Sequence, residues 1–256
     1  MEHREGDGAL VDIFGEVVAW FGAPEQWSGS GAIPARVWEH LGYSIPAVLA
    51  AMIPAVLLGL YVGHTRRMEF LVSLSGLARA LPSFGVLAFF FPISLQLGLG
   101  LSFWPTFVAL FFLAIPPMLT NTYVGVREVD PDAVQAGRGM GLTEREILRQ
   151  VELPLAAPVI VGGVRTSTVQ VVATATLAAL IAGGGLGRYI ADGLATRDDA
   201  QVIGGAVLVA ALAIVTEVVL GWVERRVRPK TSSAGAKKVR GYRYVGQAPQ
   251  PGPSSF

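Results

Sequence analysis

VDPDAVQAGRGMGLTEREILRQVELPLAAP, residues 129–158, is a polar and charge-dense segment that separates two long apolar stretches. Loops inside compact domains are usually much shorter, so a segment of this length predicts helices and a binding partner of its own. The rest of the chain suits a membrane. Of its residues, 52% are hydrophobic and 15% are charged, and the mean hydropathy is +0.52, whereas soluble domains carry roughly 25% charged residues.

Local signals within this polar segment (residues 129–158) predict a first short helix. Asp130 is a suitable N-cap, Pro131 suits the first helical position, and the carboxylate of Asp132 lies near the positive end of the helix dipole. Two glycines, Gly139 and Gly141, are expected to end this helix. The segment therefore turns sharply at its centre.

A second short helix is predicted over residues 144–151. Thr143-x-x-Glu146 has the spacing of a capping box. We expect Leu153-Pro154 to end this helix and Pro158 to mark the entry into the next apolar stretch. Two short helices at an angle would form either a protrusion that fits a cleft on a soluble partner or an elbow along the membrane. The residues alone leave both interpretations open.

Five apolar stretches resemble membrane spans, since a helix needs about 20 apolar residues to cross a bilayer. Pro82 interrupts the second stretch, so that helix is expected to be kinked or broken near Leu81. Splitting it there would give six spans and would separate the basic loops across the membrane. The predicted fold is an all-α polytopic membrane protein whose domain, 45–224, holds spans at about residues 45–63, 68–93, 103–124, 159–182 and 202–223.

The two ends of the chain differ in character. Residues 1–44 are predicted to form an extracytoplasmic segment with an amphipathic helix over 10–22, because apolar residues recur there at helical spacing. That helix is too short to span, and it would either lie along the outer membrane surface or cap the bundle through protein contacts. Residues 225–256 are basic and rich in Pro, Gly and Ser, which predicts a disordered cytoplasmic tail.

The distribution of Lys and Arg predicts the orientation. With five spans, fourteen of the twenty basic residues fall on the side that carries the polar segment and the carboxyl end, and four fall on the other side. Basic residues are enriched in cytoplasmic loops, so the amino end is predicted outside and the polar segment and carboxyl end inside. Arg165 lies within a span, where it would either pair with an acid of the polar segment or anchor the helix at the inner interface.

Signals for catalysis are missing from the sequence. There is no cysteine, and the three histidines are scattered, which predicts no metal site. The glycine-rich run at 183–187 lacks the lysine of a phosphate-binding loop. We therefore predict no enzymatic activity, no bound cofactor and no nucleic-acid partner for this chain.

The polar segment resembles the EAA loop of importer-type ABC transporter permeases. That pattern is Glu-Ala-Ala, three residues, Gly, nine residues, and Ile-x-Leu-Pro; here QAG at 135–137, Gly141 and VELP at 151–154 keep the spacing. The departures are Gln for Glu, Gly for Ala and Val for Ile, and an amide in place of the carboxylate can keep a hydrogen bond but no ion pair. The resemblance implies coupling helices that dock on a separate ATPase, through Asp132, Gln135, Ala136, Gly137, Gly141, Leu153 and Pro154.

Further segments are similar to the osmoprotectant subfamily of these permeases: 33–36 (IPAR), 39–41 (EHL), 81–83 (LPS), 121–125 (NTYVG), 173–177 (ATATL) and 183–187 (GGGLG). The resemblance implies a methionine-importer-like transmembrane fold and import of glycine betaine, choline, carnitine or related amines. It also implies a bacterial cytoplasmic membrane, an ATPase dimer that uses ATP and Mg, and a second permease, identical or a sister chain. A separate extracytoplasmic binding protein is expected to deliver the solute, because fewer than thirty-five residues follow the fifth span.

Polar side chains within the spans are the candidates for the translocation pathway, since such groups should face protein or water rather than lipid. Hydroxyls can instead bond to carbonyls of their own helix. A rival interpretation, an ion-coupled secondary transporter, would favour an intramembrane acid or an inverted repeat, and neither is evident. An ABC permease for a different small solute is the other alternative. The candidates are Ser83, Asn121, Thr166, Ser167, Thr168, Gln170, Thr174 and Thr176.

Overall fold

The computed structural model describes residues 13–78, 82–181 and 183–227, and within these ranges the chain is a bundle of helices without strands. Short 3-10 turns lie at Pro24–Gln26 and Ala175–Ile181, and a π turn lies at Leu148–Glu152. The helices are α1 (Ile13–Gly22), α2 (Ile33–Thr65), α3 (Phe70–Ala78), α4 (Ser83–Gln96), α5 (Phe103–Arg127), α6 (Pro131–Gly139), α7 (Glu144–Ile147), α8 (Leu153–Thr174), α9 (Gly187–Thr196) and α10 (Asp199–Val227).

The first long helix begins earlier than its apolar pattern predicts. Instead of starting at residue 45, α2 starts at Ile33 and runs for 33 residues, which is about 50 Å of helix. Pro34 lies in its first turn, where a missing N–H costs no hydrogen bond. Two charged residues in this part of the helix, Arg36 and Glu39, form an ion pair at 2.8 Å.

The second predicted span is divided into two short helices, as its proline predicts. The chain forms α3, of 9 residues, and α4, of 14 residues, and each is shorter than the roughly 17 residues that a spanning helix needs. Pro82 precedes α4 as its N-cap, so the helix is interrupted where the proline predicts. The expected break at Leu81 lies outside the described residues. In the described ranges, four helical runs are long and apolar enough to cross a membrane: Ile33–Thr65, Phe103–Arg127, Glu144–Ile181 and Asp199–Val227.

The predicted helix end at Leu153-Pro154 is wrong. Helical structure continues from Glu144 to Ile181, and Pro158 lies inside α8 rather than at its start. At the π turn the N–H of Leu153 bonds to the carbonyl of Leu148, five residues back. This wider turn accommodates the ring of Pro154, which would crowd a regular α-helix. The polar segment is therefore joined to α8 by continuous helix.

Helix α5 lies at the centre of the bundle and packs most closely against α2. A core of small residues, including Ala51, Ala55 and Ala114, is fully buried between the two helices. Lower down, the added Cβ atom of a residue at Gly59 would lie 2.6 Å from the Cβ of Thr122. The two helices therefore lie too close together for any side chain at position 59. Small residues allow such close packing between membrane helices.

The remaining helices surround this pair. On α8, a Cβ at Gly163 would lie 2.6 Å from the Cβ of Asn121 on α5. The short helix α9 was missed, because residues 183–201 carry no long apolar pattern. Helix α10 continues to Val227, two residues past the predicted start of the tail. Residues 228–256, with the rest of that tail, and residues 10–12 of the amphipathic helix lie outside the described ranges.

Candidate functional site

The polar segment folds into a helical hairpin at the end of the bundle where α2 finishes. The backbone N–H of Asp132 donates to the Asp130 carboxylate at 2.9 Å, and the N–H of Thr143 donates to Glu146 Oε2 at 2.8 Å. Both helix starts predicted from the sequence are thus confirmed. The turn between the helices contains Gly141 at φ +85°, a left-handed conformation that favours glycine.

Glycine at position 137 closes the hairpin. An added Cβ at Gly137 would lie 3.4 Å from Leu142 and 3.7 Å from Ile147. Ile147 is fully buried, so the two short helices share a small apolar core of their own. Gly137 therefore packs inside the hairpin and is not available to a docking partner.

Arg138 and Glu144 join the two helices on the outside. Arg138 Nε lies 3.0 Å and Nη2 lies 3.1 Å from the two carboxylate oxygens of Glu144. This two-point hydrogen bond raises the pKa of Arg138 above its ordinary value. Such a forked pair restrains direction as well as distance, so α6 and α7 are held as one unit.

The seven predicted coupling residues divide into two groups. Leu153 is half-buried and packs against an apolar cluster formed by Val126, Val129, Ala156 and Ile160. Together with Gly137 it supports the hairpin from inside. The residues that reach the outer surface are Asp132, Gln135, Ala136, Gly141 and Pro154.

Met140 is a surface residue that the sequence reasoning missed. Its side chain is 76% exposed at the turn between α6 and α7. A large apolar side chain between two glycines, in an otherwise polar segment, was the available signal. Exposed methionine suits an adaptable protein contact, and Met140 lies beside the exposed residues Ala136 and Gly141.

A polar cavity of about 510 Å³ separates the hairpin from the end of α2. Gln135 lines this cavity, opposite His64 and Glu152. The Glu152 side chain is largely buried, and its carboxylate accepts a hydrogen bond from His64 Nδ1 at 2.6 Å. Gln135, which replaces the Glu of the EAA pattern, thus faces a cavity as well as solvent.

The structure separates the candidate pathway residues of α8. Ser167 is fully buried, and its hydroxyl donates to the carbonyl of Ala114 on α5 at 2.7 Å. Thr168 is half-buried and bonds to its own helix at Val164, as Thr166 does at Gly162. Thr166 and Gln170 are both exposed and lie one helical turn apart, so they share a face of α8 that this chain leaves open.

The other candidates lie elsewhere. Asn121 Nδ2 donates to Pro117 O within α5 at 2.8 Å, and Thr176 Oγ1 donates to Ala173 O at 3.1 Å. Thr174 ends α8 and is half-buried, while Ser83 begins α4, which packs on α5. The structure therefore brings two of the eight candidates, Thr166 and Gln170, together on one open face.

At the opposite end of α2, the glycine-rich run has a packing role. The N–H of Gly185 donates to Glu39 Oε2 at 2.8 Å, and the N–H of Leu186 donates to His40 Nδ1 at 3.3 Å. The buried His40 in turn donates from Nε2 to Val172 O at 2.7 Å. Backbone groups that could bind a phosphate are thus occupied by side chains of α2.

The spans, the hairpin and its spacing together match a known family. The family described as "Binding-protein-dependent transport system inner membrane component" matches residues 42–229. The chain belongs to this family. It is therefore a multi-pass permease subunit of the inner membrane, and ATP is hydrolysed by a separate chain.

Curated relatives of this permease confirm the predicted subfamily. It is 41% identical to the choline transport system permease protein OpuBB of Bacillus subtilis, over 83% of this chain and 94% of that protein. It is 38% identical to the carnitine transport permease protein OpuCB of Listeria monocytogenes, over 76% and 88%. The osmoprotectant import permease protein OsmW of Salmonella typhimurium is 32% identical, over 78% and 94%.

Solved structures support the predicted fold. The permease resembles a chain of the MetNI methionine ABC transporter in an inward-facing conformation, with a TM-score of 0.68 over 77% of this chain and 96% of that chain. Sequence identity is 19%, so this likeness concerns the fold alone. The expectation of a methionine-importer-like transmembrane fold is confirmed.

Proposed function

We propose that this permease forms the pathway for a small quaternary-amine osmoprotectant of the choline, glycine betaine or carnitine type. The main support is the 41% sequence identity to the choline permease OpuBB, which extends over 94% of that protein. The exposed polar face of Thr166 and Gln170 on α8 is our candidate for the pathway wall. It holds no formal charge, which suits passage of a permanent cation that must not be trapped.

We further propose the partners and the orientation. A binding protein delivers the solute outside, a second permease of the same or a sister chain completes the pathway, and an ATPase dimer docks on the hairpin. The surface formed by Asp132, Gln135, Ala136, Met140 and Gly141 supports this docking, because it is exposed and lies beyond the ends of the spans. ATP-driven movement of the hairpin would tilt the spans.

Uptake measurements test the substrate. The permease, purified with its ATPase and binding protein, is placed in liposomes, and uptake of labelled choline, glycine betaine, carnitine and methionine is measured with and without ATP. We expect ATP-dependent uptake of at least one of the three quaternary amines and none of methionine. Uptake of all solutes without ATP would instead favour a secondary transporter.

Two single-cysteine variants test the orientation. The sequence has no cysteine, so Met140→Cys and Ser30→Cys would each carry a single thiol. Both positions are exposed; Ser30 lies just before the start of α2, and Met140 lies in the hairpin, near the other end of α2. In intact cells, a membrane-impermeant maleimide should label Ser30→Cys and leave Met140→Cys unlabelled until the membrane is opened. The reverse labelling pattern would overturn the proposed orientation.

Gly141→Ala tests the hairpin turn against a matched neighbour. Gly141 has φ +85° and open space around its Cα, whereas Gly139 also has open space but no positive φ. An L-residue in the left-handed region costs about 1–2 kcal/mol, so Gly141→Ala should distort the hairpin and lower ATP-driven uptake severalfold. Gly139→Ala should transport normally. Equal uptake by both variants would show that the turn geometry is not required.

A further inference from the structure

His64, near the end of α2, contacts the second half of the polar segment. Its Nδ1 donates to Glu152 Oε2 at 2.6 Å, and its Nε2 lies 3.5 Å from Glu144 Oε2. Glu152 belongs to the π turn, and Glu144 begins α7. A single imidazole thus lies against both the start of α7 and the end of the π turn.

These contacts continue into the first half of the hairpin. Glu144 is held by Arg138, the last charged residue of α6, through two hydrogen bonds. A displacement of α6 therefore reaches α7 through charge-assisted hydrogen bonds, which are stronger and more directional than neutral ones, and Glu144 of α7 lies 3.5 Å from His64 Nε2.

Burial makes the His64–Glu152 contact costly to break. Glu152 is 7% exposed, and the His64 side chain is 14% exposed. A carboxylate taken out of water needs a hydrogen-bonded partner. The pair should therefore stay together when the hairpin moves, rather than slide apart.

Movement of His64 would pass directly to the centre of the bundle. It lies next to Gly63, where an added Cβ would be 2.9 Å from Val126 of α5. Gly59, one turn away, is in equally close contact with α5. Tightly packed helices of this kind shift as a unit, so α2 and α5 would move with the histidine.

We infer that His64 is a positioning residue for transport, which transmits movement of the hairpin to α2 and α5 through its contacts with Glu152 and Glu144. The inference rests on the proposed function and deepens it. Apolar contacts beneath the hairpin also join it to α2 and α5, but apolar contacts do not fix the direction of a movement. The hydrogen bond supplies that direction.

The test measures uptake and ATP hydrolysis together in liposomes that contain the permease, its ATPase and its binding protein. His64→Leu should lower the solute taken up per ATP hydrolysed by about fivefold or more, the lower end of coupling between sites in proteins. His64→Asn should keep most of this ratio, because its amide N–H occupies the place of Nδ1–H. His64→Gln should lower the ratio, because its amide occupies the place of Nε2 rather than that of Nδ1.

Two further variants separate transmission from folding. His64→Leu with Glu152→Leu removes the unpaired carboxylate, so it should recover the amount of folded protein but keep the lowered ratio. Thr65→Val is the matched control. Thr65 donates to Tyr61 of its own helix at 2.7 Å and accepts from the N–H of Arg67 at 3.4 Å, and neither partner belongs to the hairpin, so its ratio should be normal.

A normal ratio in His64→Leu, or in the double variant, would overturn the role of His64 while leaving the transport function intact. An equal loss in His64→Asn and His64→Leu would also overturn it. Failure of the proposed function would look different, because the unaltered permease itself would then show no ATP-driven uptake.

Discussion

Gly59→Leu should prevent α2 from packing against α5 and so remove most of the folded permease. A Cβ at this position would lie 2.6 Å from the Cβ of Thr122 and 3.0 Å from the carbonyl oxygen of Leu119. Both obstacles belong to or adjoin the backbone of α5, so rotation of a side chain cannot relieve the clash. Overpacking costs typically 1–3 kcal/mol even where side chains can adjust, and about 1.4 kcal/mol is a factor of ten in folded protein.

The measurement is the yield of monodisperse permease in size-exclusion chromatography after mild detergent extraction. Gly42→Leu is the matched control, because Gly42 belongs to the same helix, is exposed, and has no atom within 4 Å of an added Cβ. We expect Gly59→Leu to lower the yield about tenfold or more and Gly42→Leu to leave it unchanged. Equal yields would mean that the two helices do not cross as closely as the structure shows.

Arg165→Met should release α10 from α8 and so cause a large loss of resistance to proteases. Arg165 Nη1 lies 2.7 Å from Glu224 Oε2, and Nη2 bonds to Glu217. The arginine therefore pairs with α10, and the predicted alternatives, an acid of the polar segment or an interfacial anchor, are replaced by this arrangement. Without the guanidinium, the carboxylates of Glu217 and Glu224 would lose this shared partner on a spanning helix; a charged residue costs roughly 2.5–3.5 kcal/mol at the centre of such a helix and less towards its ends.

The loss is measured as protease resistance of the permease in native membranes, and it should be severalfold for Arg165→Met. The neutral triple variant Arg165→Met, Glu217→Gln, Glu224→Gln should recover much of the resistance, because it removes both carboxylates together with the arginine that they bind. Arg188→Met serves as the control. Its partner Asp192 lies one turn away on α9, and both side chains are more than a third exposed, so that pair contributes little. No loss in Arg165→Met would show that the cluster does not hold α10.

Local sequence signals predicted the hairpin well. The Asp130 cap, the Thr143 capping box and the turn at Gly141 each depend on residues within four positions of one another, and the structure contains all three. The motif spacing did not show which residues face outwards. Gly137 and Leu153 occupy motif positions and pack inside the hairpin, whereas Met140 is not a motif residue and is exposed.

Two other sequence signals do not predict the observed structure. Pro154 was expected to end a helix, yet the π turn before it lets the helix continue. Polar residues of α8 were grouped as one pathway wall, but the hydroxyl of Ser167 bonds to α5. Composition cannot distinguish a hydroxyl that faces a pathway from one that satisfies a neighbouring helix, since both avoid lipid.

The sequence by itself determined the membrane setting, the apolar spans, the hairpin and the transporter family, because hydropathy, capping and motif spacing are local properties of the chain. Only the tertiary structure decided which helices touch. It showed that Gly59 meets Thr122, that Arg165 meets Glu217 and Glu224, and that His64 meets Glu152. The hydrogen-bonded partners lie 52 to 88 positions apart, a separation over which no periodicity in the sequence indicates contact. Close packing alone brings them together.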